Sequence, residues 1–563
     1  MSSHPTSSSP SPYEALPLSY GEIRVLEVAA ASGDEILECT LERISLLDHP
    51  VPCYETISYC WGPHRDPSTI KLNGHLVEVP ASSEAAVRRM RLRDRPRVLW
   101  IDAICIDQSS MTERSAQVAF MATVYSTAKQ NLVYLGEDHK DMAVRGIKAL
   151  EDVMDDMRAE TADFTLAWET MSNLETGSWS ISNEPFSASI DFEALEALFS
   201  HHWFSFGNGV GLRCASEMFK ILYPHSRWVS TRGHLATMFM TIRQSEKSEP
   251  KDSIFAILGL LDKDTSLENS QAALLKVDYT KPLSSVLRDA TRYALCQGGG
   301  LSPFNMIDHD FDVLNDPQSF PTWAIRADLQ REAWDAVLLP NHFNASGGLE
   351  APSLLEDVSF GEEVLLLEGL AVDEIYQTTA SCLRSTWETY EDFHEWLISV
   401  KGIVLRHCNI PSQEELFLAT TFTLVAGSTY HGMRAQSSDL HVLVEYFKSL
   451  TVCENAGAAG GIGIKNGFDL AVTRSIYDDS RVDYCLDRRF FVTGAGRVGI
   501  GPRCMQPGDV VVVLRGGRWP FIMRKKGDDY WLLGAAYVHG IMDGEVVQLH
   551  NARGGSEEVF HVR

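Results

Sequence analysis

Apolar and polar positions along the first quarter of the chain follow the rhythm of short strands and tight turns. Residues 23–28 and 37–44 predict a first pair of strands. Tyr54-Glu55-Thr56-Ile57-Ser58-Tyr59 alternates and is rich in strand formers, and Cys60-Trp61-Gly62-Pro63 must break it. Residues 69–72 and 75–79 flank Asn73-Gly74, a pair that supplies the positive φ angles of a type I′ hairpin. Ser82 or Ser83 can cap a helix running to about residue 92. Next comes Val98-Leu99-Trp100-Ile101-Asp102-Ala103-Ile104-Cys105-Ile106-Asp107-Gln108. It opens as an apolar run, the pattern of a strand buried on both faces, and closes on two carboxylates and an amide. Ser110-x-x-Glu113 has the spacing of a capping box, and Val118, Met121, Ala122, Tyr125 and Ala128 then recur at helical intervals. A second apolar run, residues 131–135, stops at Gly136.

Strand, helix and strand with tight joints predict a βαβ unit, with parallel strands and a right-handed crossover. In such sheets ligands sit outside the carboxyl ends of the strands, where Asp102, Asp107 and Gln108 fall. If the 54–59 strand runs parallel to the 98–102 strand, Trp61 and Gly62 face Asp102 and Asp107 across a crevice. An aromatic plate beside carboxylates and an amide suits a nucleotide or sugar-like ligand. The same groups have a plainer reading: strand-end aspartates cap helices or pair with Arg114, and Trp61 serves as a core or lid residue.

Further along, residues 142–198 are acidic with a helical pattern, and 201–233 show little periodicity. Glu249-Pro250-Lys251-Asp252 breaks the chain before a short apolar element at 254–260. Leu283, Val286, Leu287, Ala290 and Ala294 give an amphipathic helix ended by Gly298-Gly299-Gly300. Residues 300–480 mix short strands with helices such as 386–406. The last part changes character. Short strands at 490–493, 497–500, 509–514, 519–524 and 530–536, with Gly516-Gly517 as a hairpin, predict a small β-barrel or meander. The expected organisation is a disordered Ser/Pro-rich leader (1–19), an α/β domain (20–262, core motifs 54–136), a mixed, largely helical region (263–480) and a β-rich C-terminal domain (481–563).

The net charge, 49 − 76 = −27, opposes contact with phosphate backbones and anionic membranes, so no nucleic-acid partner is expected. The 11 cysteines include no CxxC pair, which fits reduced thiols and a cytoplasmic location. No apolar run is long enough for a membrane span. Gly494-Ala-Gly-Arg-Val-Gly499 spells GxGxxG but lies between strands with no helix after it, and the 457–467 glycine loop lacks the Lys-Ser/Thr ending of a phosphate loop. His201-His202 and His539 lack partners at metal spacing, so no metal is expected. Cys105 reads as core because nearby acids disfavour its thiolate. Lys525-Lys526 reads as a solvated turn.

Three blocks together resemble the fungal heterokaryon-incompatibility (HET) domain family. They are Tyr54-Glu-Thr-Ile-Ser-Tyr-Cys-Trp-Gly62, Leu99-Trp-Ile-Asp-Ala-Ile-Cys-Ile-Asp-Gln108, and Glu113-Arg114 to Met121-Ala-Thr-Val-Tyr125 with Val133-Tyr-Leu-Gly136. Pro250-Lys-Asp-Ser-Ile-Phe-Ala-Ile-Leu-Gly-Leu260 with Val277-Asp-Tyr279, and Gln506-Pro-Gly-Asp509 through Gly544, resemble segments common downstream in such proteins. The resemblance implies an α/β domain with a TIR-like, doubly wound, mostly parallel sheet. It implies a cytoplasmic cell-death effector of fungal non-self recognition, acting by regulated self-association with protein partners. Ser58, Trp61, Gly62, Asp102, Asp107 and Gln108 are the ligand-binding candidates, and no cofactor is expected.

The TIR kinship also implies an alternative, a hydrolase with NAD as substrate, in which a glutamate steadies the ribosyl cation. Family members commonly carry W-F-x-R-x-W-x-x-Q-E. Here Trp203-Phe204-Ser205 is followed by Phe206-Gly207-Asn208-Gly209-Val210-Gly211, and Glu217 lies too far along to match. No catalytic residue is assigned, and a poorly ordered loop is expected at 206–232. A small-molecule sensor acting through the C-terminal β-domain is a third reading.

Overall fold

The structure is a computed structural model that describes residues 12–33, 35–61, 66–138, 141–159, 191–199, 249–258, 273–296, 300–309, 320–329, 342–349, 363–382, most of 390–450, and 487–563, with isolated residues between. The expected loop at 206–232, His201-His202 and the 457–467 glycine loop lie outside the described residues. The chain divides into two compact units, residues 1–233 with 244–282, and residues 234–243 with 283–563.

The first unit is built on β1 (Glu22–Val28), β2 (Glu38–Ser45), β3 (Glu55–Tyr59), β4 (Pro67–Leu72), β5 (His75–Pro80), α1 (Ala81–Met90), β6 (Arg97–Trp100), α2 (Asp102–Cys105), α3 (Met111–Thr127) and β7 (Asn131–Tyr134). One seven-stranded sheet runs β5-β4-β2-β1-β6-β3-β7. The expectation of a mostly parallel, doubly wound sheet is corrected: the sheet is mixed. β2–β4, β3–β6 and β3–β7 are parallel, whereas β1–β2, β1–β6 and β4–β5 are antiparallel. Short links force part of this. Asn73 and Gly74 take φ of 50° and 85°, so β4 and β5 fold back as the expected hairpin. The strands of the predicted βαβ unit, β6 and β7, do run the same way, with β3 inserted between them and parallel to both.

Two local expectations shift. The apolar run from Val98 is not one strand. It leaves the sheet after Trp100 and turns helical, with the Ile106 amide bonded to the Asp102 carbonyl, so Cys105 sits on α2 in the core. The buried face of α3 centres on Gln117 and Val124, with Phe120, Met121, Tyr125 and Ala128 beside them; Val118 and Ala122 fall off its centre. Ser110 caps α3 by accepting from the Glu113 amide at 3.3 Å. No side chain caps α1; Ser83 instead donates to the Pro80 carbonyl. Of the leader, the residues from Tyr13 onward are tied to the fold: Tyr13 and Leu16 pack on the core, and the Tyr13 hydroxyl donates to the Ile104 carbonyl at 3.0 Å.

The second unit carries the C-terminal β-rich region. Its strands are β8 (Leu365–Thr378), β9 (Arg488–Thr493), β10 (Val498–Pro502), β11 (Val510–Leu514), β12 (Phe521–Lys526), β13 (Asp529–Ala535), β14 (Tyr537–Val538) and β15 (Glu558–Val562). Five of them close a ring, β8-β11-β12-β13-β15 and back to β8. The long strand β8 pairs with β15 through Gly369 and then with β11 and β9. A Cβ on Gly369 would stand 2.4 Å from the Val513 carbonyl oxygen, so only glycine lets the ring close there. Phe491, Val511, Val513, Ile522 and Leu533 fill the core. The GxGxxG stretch is the β9–β10 hairpin, as its flanking strands predict. Lys525 and Lys526 end β12 as exposed strand residues rather than forming the turn itself. Helices Tyr390–His407, Gln413–Leu424 and His441–Ser449 supply the mixed region.

Candidate functional site

Strand direction builds the site in the first unit. β3 and β6 are parallel, with Glu55 opposite Leu99 and Thr56 opposite Trp100. Both chains therefore leave the sheet at one edge, and the turn after β3 meets the turn after β6. The Trp61 indole donates from Nε1 to Asp102 Oδ2 at 3.2 Å. The Ala103 amide donates to Asp102 Oδ1 at 2.7 Å. Tyr59 and Trp61 are two positions apart, so an extended chain puts both rings on one side. They lie nearly parallel, at 17° with centroids 6.5 Å apart. Ser82 donates to the Trp61 carbonyl at 2.9 Å and pins the turn to α1.

The other acidic-edge candidates serve the turn. Gln108 Nε2 donates to the Asp102 carbonyl at 2.9 Å. Asp107 Oδ1 accepts from the Ser109 amide and hydroxyl at 3.0 and 2.6 Å, and the Asp107 amide donates to Glu113 Oε1 at 2.8 Å. Glu113 thus reaches back past its cap residue, and Arg24 grips its two oxygens at 2.6 and 2.9 Å. Ser58 is half-buried on β3 opposite Val133 of β7, and Gly62 lies outside the described residues.

Arg114 pairs with neither Asp102 nor Asp107. Its guanidinium lies 3.9 Å over the Tyr279 ring and 3.7 Å from Asp252 Oδ2. The Tyr279 hydroxyl donates to Asp252, its amide donates to Ser115 Oγ at 3.0 Å, and Lys251 Nζ donates to its carbonyl at 2.7 Å. The downstream segment is thereby fixed to the first turns of α3. Local pattern gave no sign of this; the only signal was that both segments resemble one family.

Burial dominates the electrostatics. It pushes the Asp102 carboxyl up to about 6, against the pull of the Ala103, Trp61 and Tyr59 donors, and the Asp252 charge adds to the rise. Burial likewise raises Asp252, and lifts Cys105 to about 12, which keeps that thiol protonated. Burial also raises Tyr59 and Tyr125, each with the Asp102 charge adding. An acid poised near neutrality, with aromatic rings around it, can hold or release a proton and can bind a hydrogen-bond donor.

The family model described as heterokaryon incompatibility protein (HET) matches residues 54–204, which include every residue of this edge from Tyr59 to Arg114. The Het-6 beta-barrel domain model matches residues 426–556. Residues 54–204 thus carry a HET domain. Similar over most of both lengths is a heterokaryon incompatibility protein 6, OR allele, of Neurospora crassa: 22% identical over 662 residues, covering 93% of this chain and 94% of that one. No solved structure matches. β8 and β15, which close the barrel ring, lie outside the matched barrel segment. Among the described residues no cluster could hold a metal ion, and no helix is long and apolar enough to cross a membrane.

Proposed function

We propose that this HET-domain chain is a cell-death effector of fungal non-self recognition, acting in the cytoplasm with protein partners through regulated self-association of its first unit. The observation that carries the reading is the pair of family matches, HET first and Het-6 barrel second, on a chain similar over nearly its full length to an incompatibility protein. The sheet edge supports the self-association step. β7 is a terminal strand of four residues, and its Val133 is 44% exposed. Such an edge offers unpaired backbone groups to a second strand. Inducible expression in a filamentous fungus tests the effector role, with loss of viability expected. Val133→Lys should weaken both killing and the oligomer seen by light scattering. Normal growth at high expression, or killing by a strictly monomeric protein, would count against the reading.

Ligand binding at the sheet edge belongs to the same proposal. Of Ser58, Trp61, Gly62, Asp102, Asp107 and Gln108, the geometry favours Trp61 and Asp102. Asp107 and Gln108 commit polar atoms to the turn.

A further inference from the structure

Asp102 is a half-buried acid that the described residues hold by hydrogen bonds from neutral groups. Its oxygens accept from Trp61 Nε1 and the Ala103 amide, and the Tyr59 hydroxyl stands beside them, all of them neutral donors, where a carboxylate has room for about four. No lysine, arginine or histidine among the described residues forms an ion pair with it; Arg114 is held by Asp252 and Tyr279. A second polar group is buried beside it. The Tyr59 hydroxyl is buried and lies against the Asp102 carboxyl and the Ser83 hydroxyl. The Tyr59 and Trp61 rings stand nearly parallel next to this acid.

The charge at this edge selects the ligand. Asp102 and Asp252 repel an anion. A neutral ligand leaves the Asp102 charge without a counterion, which is costly where the ligand would cover the carboxylate and strip its water. The donor set among the described residues is too small for a metal ion. An organic cation satisfies both partners at once, its N–H groups on the carboxylate and its plane against the aromatic faces.

We propose that the Tyr59–Trp61–Asp102 edge binds a planar organic cation bearing N–H donors. The inference rests on the reading of this edge as a ligand site and deepens it. The groups facing Asp102 are Tyr59 on β3, Tyr125 on α3, Cys105 on α2, and Asp252, which Arg114 partly neutralises. Tyr59, Tyr125 and Cys105 stay neutral near neutral pH, so cation binding follows the ionisation of Asp102 and strengthens as pH rises through about 6.

Titration calorimetry on the full chain tests this, with benzamidinium as the planar cation, benzamide as its neutral isostere and benzoate as the anion. Saturable millimolar or tighter binding of benzamidinium is expected, with benzoate silent. Benzamide should bind about tenfold more weakly, and lowering the pH from about 7.5 to about 5 should weaken benzamidinium about tenfold. Asp102→Asn should abolish the preference for the cation while the circular dichroism spectrum stays native. Trp61→Leu supplies a second variant that should weaken binding with Asp102 in place. Equal binding of benzamide and benzamidinium, pH-independent binding, an unchanged preference in Asp102→Asn, or no saturable binding would each overturn the proposal. The effector reading stands or falls separately on viability: a chain that kills but binds no cation keeps it, and a chain that binds but does not kill loses it.

Discussion

Arg24 uses its donors on four places at once: the Leu16, Cys105 and Tyr13 carbonyls and both oxygens of Glu113. It is 1% exposed, and its tyrosine neighbour Tyr13 lies 5.1 Å from the guanidinium. Nothing local marks β1 as the home of a buried cation. Removing it leaves Glu113 and the Asp107 turn without their anchor. Arg24→Ala should cost about 3–5 kcal/mol in the denaturant stability of the first unit, whereas Arg24→Met with Glu113→Leu should recover most of it. Asp102 shows the opposite sign. Its folded pKa of about 6 lies above the ordinary carboxyl value of 3.8, so the folded state resists ionisation. The resulting penalty is absent below about pH 4, grows between the two values and is complete above about pH 6. Asp102→Asn should therefore be more stable than the parent near pH 7.5, by an amount of the order of 1–3 kcal/mol, and equal to it near pH 4. Paired melts at the two pH values check this; a variant less stable at neutral pH would contradict it.

At the scale of elements, legibility follows sequence distance. The Asn73-Gly74 hairpin and the Ser110 cap of α3 are decided by a few adjacent residues, and both are where the pattern places them. Ser110→Ala should lower stability by about 1 kcal/mol, read as faster amide exchange in the first turn of α3. The inserted strand β3 and the antiparallel pairing of β1 with β6 were not legible, because the sequence separation is large and either direction satisfies the same apolar pattern. The barrel behaves alike. The strands between residues 488 and 535 read clearly, but β8 lies over a hundred residues upstream and still closes the ring. Gly369→Ala should place a methyl against the Val513 carbonyl and destabilise the barrel by about 1–3 kcal/mol, with exchange protection lost first in β8 and β11. Unchanged protection there would mean that the crossing tolerates a side chain.

At the scale of the molecule, the net charge of −27 sets how the chain meets other polymers. Fluorescence anisotropy with duplex DNA at physiological salt should show no binding, because the acidic surface repels phosphates. The sequence by itself determined the strand and helix rhythm of residues 54–136, the turn chemistry, the β-rich end and the family, all of which depend on neighbours a few residues apart. Only the tertiary structure decided that the sheet is mixed, that Trp61 bonds Asp102, that Arg114 serves Asp252 and Tyr279, and that Asp102 forms no ion pair among the described residues. Strand direction and the desolvation of a charge are set by groups far apart in the chain, and no local pattern of residues encodes them.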